Sequence, residues 1–187
     1  ENFPLMYESR ILPILSKKIL STFEINNYIE YWGNSDTIRS KINSTNNTKT
    51  SITVFLEYIP NTLNLLIEKN FKDGNETASK TISMIENNLN STIEFMKKKG
   101  MLHFDATKNN LLTDGQRLYF ADFGLTISSS FNITKEERDF FNRHQNYDKC
   151  QSVWFVYGKI HNVYQNMSNL AKTKLVKPAT VKDFLKC

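Results

Sequence analysis

Ile82, Ile85, Leu89, Ile93 and Met96 follow one another at steps of three and four residues. That spacing puts all five on one face of an α-helix, predicted from about Ala78 to Lys99. Lys97, Lys98 and Lys99 fall in its last turn, where cations suit the negative end of the helix dipole. Gly100 follows where a left-handed cap closes a helix. A helix this long with one apolar face needs a core to lie on. The chain has 187 residues, 40% hydrophobic and 12% aromatic, which is enough for one ordinary domain or a domain with a fragment of another. Thirteen Phe and eight Tyr argue against a disordered chain, and six Gly with four Pro exclude collagen-like or linker-like character.

The elements around that helix are read from local pattern. Phe3-Pro4-Leu5-Met6-Tyr7 is predicted as a short extended segment, and Ile11 to Ile29 fits strand or helix equally. Asn34 to Thr50, rich in Asn, Ser and Thr, is expected to be an exposed loop. Ile52-Thr53-Val54-Phe55-Leu56, bounded by that loop and by Pro60, is predicted as a buried strand. Leu63, Leu65 and Leu66 suggest a short helix. After Gly100 come two short strands, Leu111-Leu112 and Leu118-Tyr119-Phe120, joined by the turn Thr113-Asp114-Gly115-Gln116. Thr134-Lys135-Glu136-Glu137 is a capping box and starts a helix. A further apolar helix, about Cys150 to Val163, carries Val153, Trp154, Val156, Tyr157 and Ile160. No internal repeat is visible.

Charge and cysteine narrow the function classes. The net charge of +5 comes from scattered basic residues, with neither a basic block nor an aromatic-interleaved nucleic-acid signature, so no nucleic-acid partner is expected. Cys150 and Cys187 lie far apart and form no C-x-x-C, which speaks against a zinc site or a disulfide framework. A reducing, cytoplasmic setting is the expectation. No apolar run reaches the ~18 residues of a membrane span, and no charged-then-apolar stretch near Glu1 suggests a signal peptide. N-x-S/T triplets such as Asn43-Ser44-Thr45 and Asn75-Glu76-Thr77 follow from the Asn-rich composition. The chain opens on Glu1 rather than Met and is expected to be a piece of something longer.

The stretch Met101 to Leu125, MLHFDATKNNLLTDGQRLYFADFGL, carries the chemistry. Asp105 and Asn110 flank a short loop directly after the long helix. Asp122 follows a strand that pairs back onto that loop. The hairpin therefore brings Asp105, Asn110 and Asp122 to one end of a small sheet. Two carboxylates and a carboxamide oxygen form a hard-ligand set of the kind that suits Mg²⁺, which keeps waters and takes its remaining ligands from phosphate. A further carboxylate beside the metal can orient a hydroxyl or accept its proton, and a metal with a positioned hydroxyl is what phosphoryl transfer needs.

In these residues the sequence resembles the protein-kinase-like superfamily. His103-Phe104-Asp105-Ala106-Thr107-Lys108-Asn109-Asn110 resembles the catalytic loop H-x-D-x-x-x-x-N, and Asp122-Phe123-Gly124 resembles the D-F-G triplet, twelve residues after Asn110. The helix 78–99 resembles the one before the catalytic loop, and Phe55-Leu56-Glu57-Tyr58 the last N-lobe strand and hinge. The resemblance implies an α+β, protein-kinase-like fold. Residues 1–59 would be a partial N-lobe with its antiparallel sheet and hinge strand, and 60–187 a mainly helical C-lobe. It implies Asp105 as the catalytic base or hydroxyl-orienting residue, and Asn110 and Asp122 as the Mg²⁺ ligands. Leu56 at a gatekeeper-like position, with backbone near Glu57 and Ile59, would face the adenine of ATP. Phe123 would set the position of Asp122. His103 would have a structural job, bonding backbone near Asp122, and Asp148 would brace the catalytic loop. His144 and His161 have no visible partner and are read as surface or core residues. The implied activity is transfer of the γ-phosphate of ATP to a hydroxyl, on protein Ser/Thr or on a small molecule.

The sequence also departs from the family pattern. There is no G-x-G-x-x-G loop and no strand lysine of the V-A-I-K type, for which Lys17 and Lys18 qualify by residue type alone. If Asn2 to Tyr7 is the family's fourth strand, those elements lie upstream; otherwise a shortened N-lobe lies within 1–50. Thr107 stands where protein kinases carry a lysine, as in the aminoglycoside- and choline-type kinases that also lack it. No A-P-E closes the segment after Gly124, and Ser128-Ser129-Ser130 is read as a polar loop. The chain after Val163 is short, so late C-lobe helices are expected to be reduced or missing. A pseudokinase serving as a nucleotide- or protein-binding module is the alternative from another class.

Overall fold

The computed structural model describes residues 2–15, 21–73 and 75–167. Lys17, Lys18, Cys187 and the chain from 168 onward lie outside the described residues. The fold is α+β, and the chain forms two compact units, Leu5–Glu57 and Tyr58–Cys187, the latter joined by Glu1–Pro4. The division falls two residues before the expected 59/60 boundary. No helix among the described residues is long and apolar enough to cross a membrane.

The unit Leu5–Glu57 contains an antiparallel ribbon of β1 (Met6–Pro13) and β2 (Thr50–Leu56). Between them run α1 (Thr22–Tyr31) and α2 (Asp36–Asn47). Ser21 opens α1 with a reciprocal capping box to Glu24. Two expectations fail here. The segment 34–50 holds the helix α2 rather than a continuous loop. Its polar composition hides the i, i+4 pair Ile38 and Ile42, which are half-buried, and no Gly or Pro interrupts the turns from Ser35 to Thr50. The strand at 52–56 is present, but it is not buried. Ile52, Val54, Phe55 and Leu56 are all exposed, because β-branched and aromatic residues specify a pleated chain and not a second layer over it.

The second unit is built on α4 (Asn75–Lys98), about four turns of which carry the expected stripe. Ile82, Ile85, Leu89, Ile93 and Met96 are all buried, with Ala78 extending the row. They share a core with Leu63, Ile67 and Phe71 of α3 (Leu63–Lys72) and Val156 of α6 (Tyr147–Gln165). Leu111, Leu118 and Phe120 complete it from β5 (Leu111–Thr113) and β6 (Leu118–Phe120). Each such side chain contributes about 1.5–3 kcal/mol on burial. β5 and β6 pair antiparallel, and β3 (Asn61–Thr62) adds the third strand beside β5. Asn88 of α4 ties helix to hairpin, since its Oδ1 accepts from the Leu118 amide and from Asn2 Nδ2.

Gly100 ends α4 at φ +67°, as the left-handed cap requires. The chain then pairs β4 (Met101–Leu102) with β7 (Ile127–Ser128). α5 (Lys135–Arg143) begins at the Thr134 capping box, and both of its reciprocal bonds to Glu137 form. α6 begins three residues earlier than expected, so Asp148 lies in its first turn rather than before it.

Candidate active site

The loop between β4 and β5 is a succession of tight turns. The Thr107 amide donates to Asp105 O at 2.7 Å, and the Asn110 and Leu111 amides both donate to Thr107 O at 3.0 Å. This folding brings the two ends of the H-x-D-x4-N stretch together. Asn110 Nδ2 donates to Asp105 Oδ2 at 2.7 Å and to Asp105 O at 3.0 Å. The Asp105 carboxylate, half-buried, is thereby held by the amide five residues on. With its donors directed at Asp105, Asn110 keeps its Oδ1 as an acceptor.

The β5–β6 ladder carries the third residue to the same end. Leu111 pairs with Phe120, and just past that rung the Ala121 amide donates to Asn110 O at 2.9 Å. Asp122 is the next residue. Its backbone is left-handed, φ 61° and ψ 73°, and it caps the 3-10 turn Phe123–Leu125 by accepting from the Gly124 amide at 3.2 Å. A Cβ at Gly124 would come within 3.1 Å of Asp122 Oδ1, so the glycine leaves the carboxylate its place. Asp105, Asn110 and Asp122 thus belong to one sheet end.

His103 ties these pieces from below. It is fully buried, its Nδ1 accepts from the Asp105 amide at 3.2 Å, and its Nε2 therefore donates to Ala121 O at 3.1 Å. Burial lowers its pKa below the ordinary imidazole value, outweighing the carboxylates of Asp148, Asp105 and Asp122 and the bond to Ala121. The ring of Phe123 lies 4.6 Å from that of His103 and 5.9 Å from Phe3. Asp148 is buried and takes the His103 amide on Oδ2 at 2.7 Å and the Phe104 amide on Oδ1 at 2.8 Å.

The other sequence-predicted residues lie apart from this cluster in role. Leu56 ends β2 opposite Met6 and is exposed. The Glu57 amide donates to Leu5 O at 2.7 Å, so any contact from Glu57 to an adenine falls to its carbonyl. Ile59 is buried in the other unit. His144 bonds Phe140 O through Nδ1 and stacks on the Phe140 ring, while His161 stacks on Tyr157. Two features escaped sequence reasoning. Phe104 is left-handed at φ 62°, with its ring against Phe140 and Tyr147. Gln151 of α6 reaches Phe104 O. Its position one helical turn after Asp148 was the available signal.

Among the described residues no three His, Cys, Asp or Glu side chains converge on a metal-sized space. A hard cation does not need three: the Asn110 Oδ1 and the Asp122 carboxylate are the donor types Mg²⁺ takes from a protein when phosphate and water complete its shell. Compared with known proteins, the chain matches no family model and no curated protein.

Proposed function

We propose that this protein is an ATP- and Mg²⁺-dependent phosphotransferase of protein-kinase-like fold that moves the γ-phosphate to a hydroxyl. The observation that carries the reading is the Asp105–Asn110 couple, bonded carboxylate to amide and joined through Ala121 to Asp122. Asp105 offers a fixed oxygen to an acceptor hydroxyl and takes its proton as the oxygen attacks phosphorus. The bond to the β–γ bridging oxygen breaks and ADP leaves. Asn110 and Asp122 would hold Mg²⁺, which when bound neutralises charge on the phosphates. His103, neutral in its buried site, keeps Ala121 and Asp105 in register and has no part in proton transfer. A protein Ser/Thr hydroxyl is the acceptor proposed first. A small-molecule hydroxyl is the second reading, favoured by Thr107, which brings no cation to the transferring phosphate two residues after Asp105.

The test is ³²P transfer from ATP to a panel of protein and small-molecule acceptors, comparing wild type with Asp105→Asn. The expected loss is about 10²–10⁴-fold, the usual share of a positioned acid–base group. Equal transfer by both proteins would remove Asp105 from the chemistry. No transfer by either, with nucleotide still bound, would favour a binding module.

A further inference from the structure

Phe104 adopts a conformation that a bulky residue rarely takes. Such a backbone persists only where its surroundings over-determine it. On its N-terminal side, the Phe104 amide is held by Asp148. On its C-terminal side, the peptide joining Phe104 to Asp105 is held at both of its polar atoms. The Asp105 amide donates to His103 Nδ1, and the Phe104 carbonyl accepts from Gln151 Nε2 at 3.2 Å. The plane of that peptide sets where the Asp105 side chain leaves the backbone, and so whether its carboxylate meets Asn110.

The Gln151 amide has a definite orientation. Nε2 faces two oxygens, Phe104 O and the Tyr147 hydroxyl at 3.3 Å, and Oε1 is buried with no partner. Turning the amide over would set Oε1 against the Phe104 carbonyl, two acceptors face to face. An unpaired buried oxygen opposes folding and offsets part of what the bond to Phe104 O contributes. What the amide supplies specifically is the grip on Phe104 O.

The geometry points to Gln151 as a positioning residue for Asp105, acting through the Phe104–Asp105 peptide. Its kinetic consequence rests on the phosphotransferase reading; its geometry does not. The test compares the full chain with its Gln151→Leu variant by ¹H–¹⁵N NMR, thermal unfolding and steady-state kinetics. The Asp105 backbone amide and the Asn110 side-chain amide should shift and exchange faster with solvent in the variant, while the protein keeps a single cooperative unfolding transition. The kcat should fall about tenfold or more with the KM for ATP within about twofold, as when only the reacting geometry is disturbed. Should the leucine variant not fold, Gln151→Met, closer in shape, makes the same comparison. Unchanged Asp105 and Asn110 signals in an active protein would overturn the proposal and leave the phosphotransferase reading standing. Shifted signals in a protein with no turnover even as wild type would uphold the positioning geometry and remove that reading.

Discussion

His103 illustrates what a single buried side chain contributes. Its folded-state pKa lies below the unfolded value of about 6.5. Between the two values the unfolded chain binds the proton and the folded chain does not. Stability is therefore full above about pH 6.5 and declines as the pH falls below it. In His103→Gln that acid-side slope should diminish, read from urea midpoints between pH 5 and 7.5; an unchanged slope would assign it to other groups. The approach of Asp105, Asn110 and Asp122 to one sheet end was legible in the sequence, because a short loop and a hairpin follow one another there. The left-handed backbones at Phe104 and Asp122 were not, since no glycine marks either position: tertiary bonds to Asp148 and Gln151 hold the first, and a local turn bond from Gly124 accompanies the second.

Elements with a strong period or a local signal were the readable ones. The α4 stripe, the Gly100 cap and the Thr134 box each specify their own structure over a few residues. The two-residue strands β3, β4 and β7 carry no such signal and exist only as pairings with distant chain. α2 was hidden because an Asn-rich segment with one Ile pair reads as loop. Two predictions belong at this scale. A Cβ at Gly100 would sit 2.0 Å from Ser129 Oγ on a left-handed backbone, so Gly100→Ala should lower stability by about 1–2 kcal/mol from the backbone alone, with a further loss from the clash. Adding Ser129→Ala should recover most of the second part, since only its Cβ at 3.1 Å remains close, and leave the first, as measured by denaturant unfolding. Thr134→Ala should cost about 1 kcal/mol by removing one half of the α5 box; a smaller loss than a few tenths would mean the box contributes nothing to the fold.

At the scale of the molecule, the unit beginning at Tyr58 holds the one contiguous core described above and the Asp105–Asn110–Asp122 cluster at one end of its hairpin. The Leu5–Glu57 unit leaves Met6, Ile11, Ile52, Val54 and Leu56 exposed on its ribbon. The α+β class was legible from the mixture of a 3.6-residue stripe with short strands. The exposure of β2 was not, because burial is a property of what packs over a strand. The most direct measurement on the whole protein is Mg²⁺-dependent phosphate transfer from ATP, with and without Asp122→Ala, and again after chelation of the metal by EDTA. A phosphotransferase with its metal held at Asn110 and Asp122 should lose turnover by at least about 10²-fold in the variant and on chelation alike, and recover only the wild type on adding Mg²⁺. Turnover that survives Asp122→Ala undiminished would contradict it.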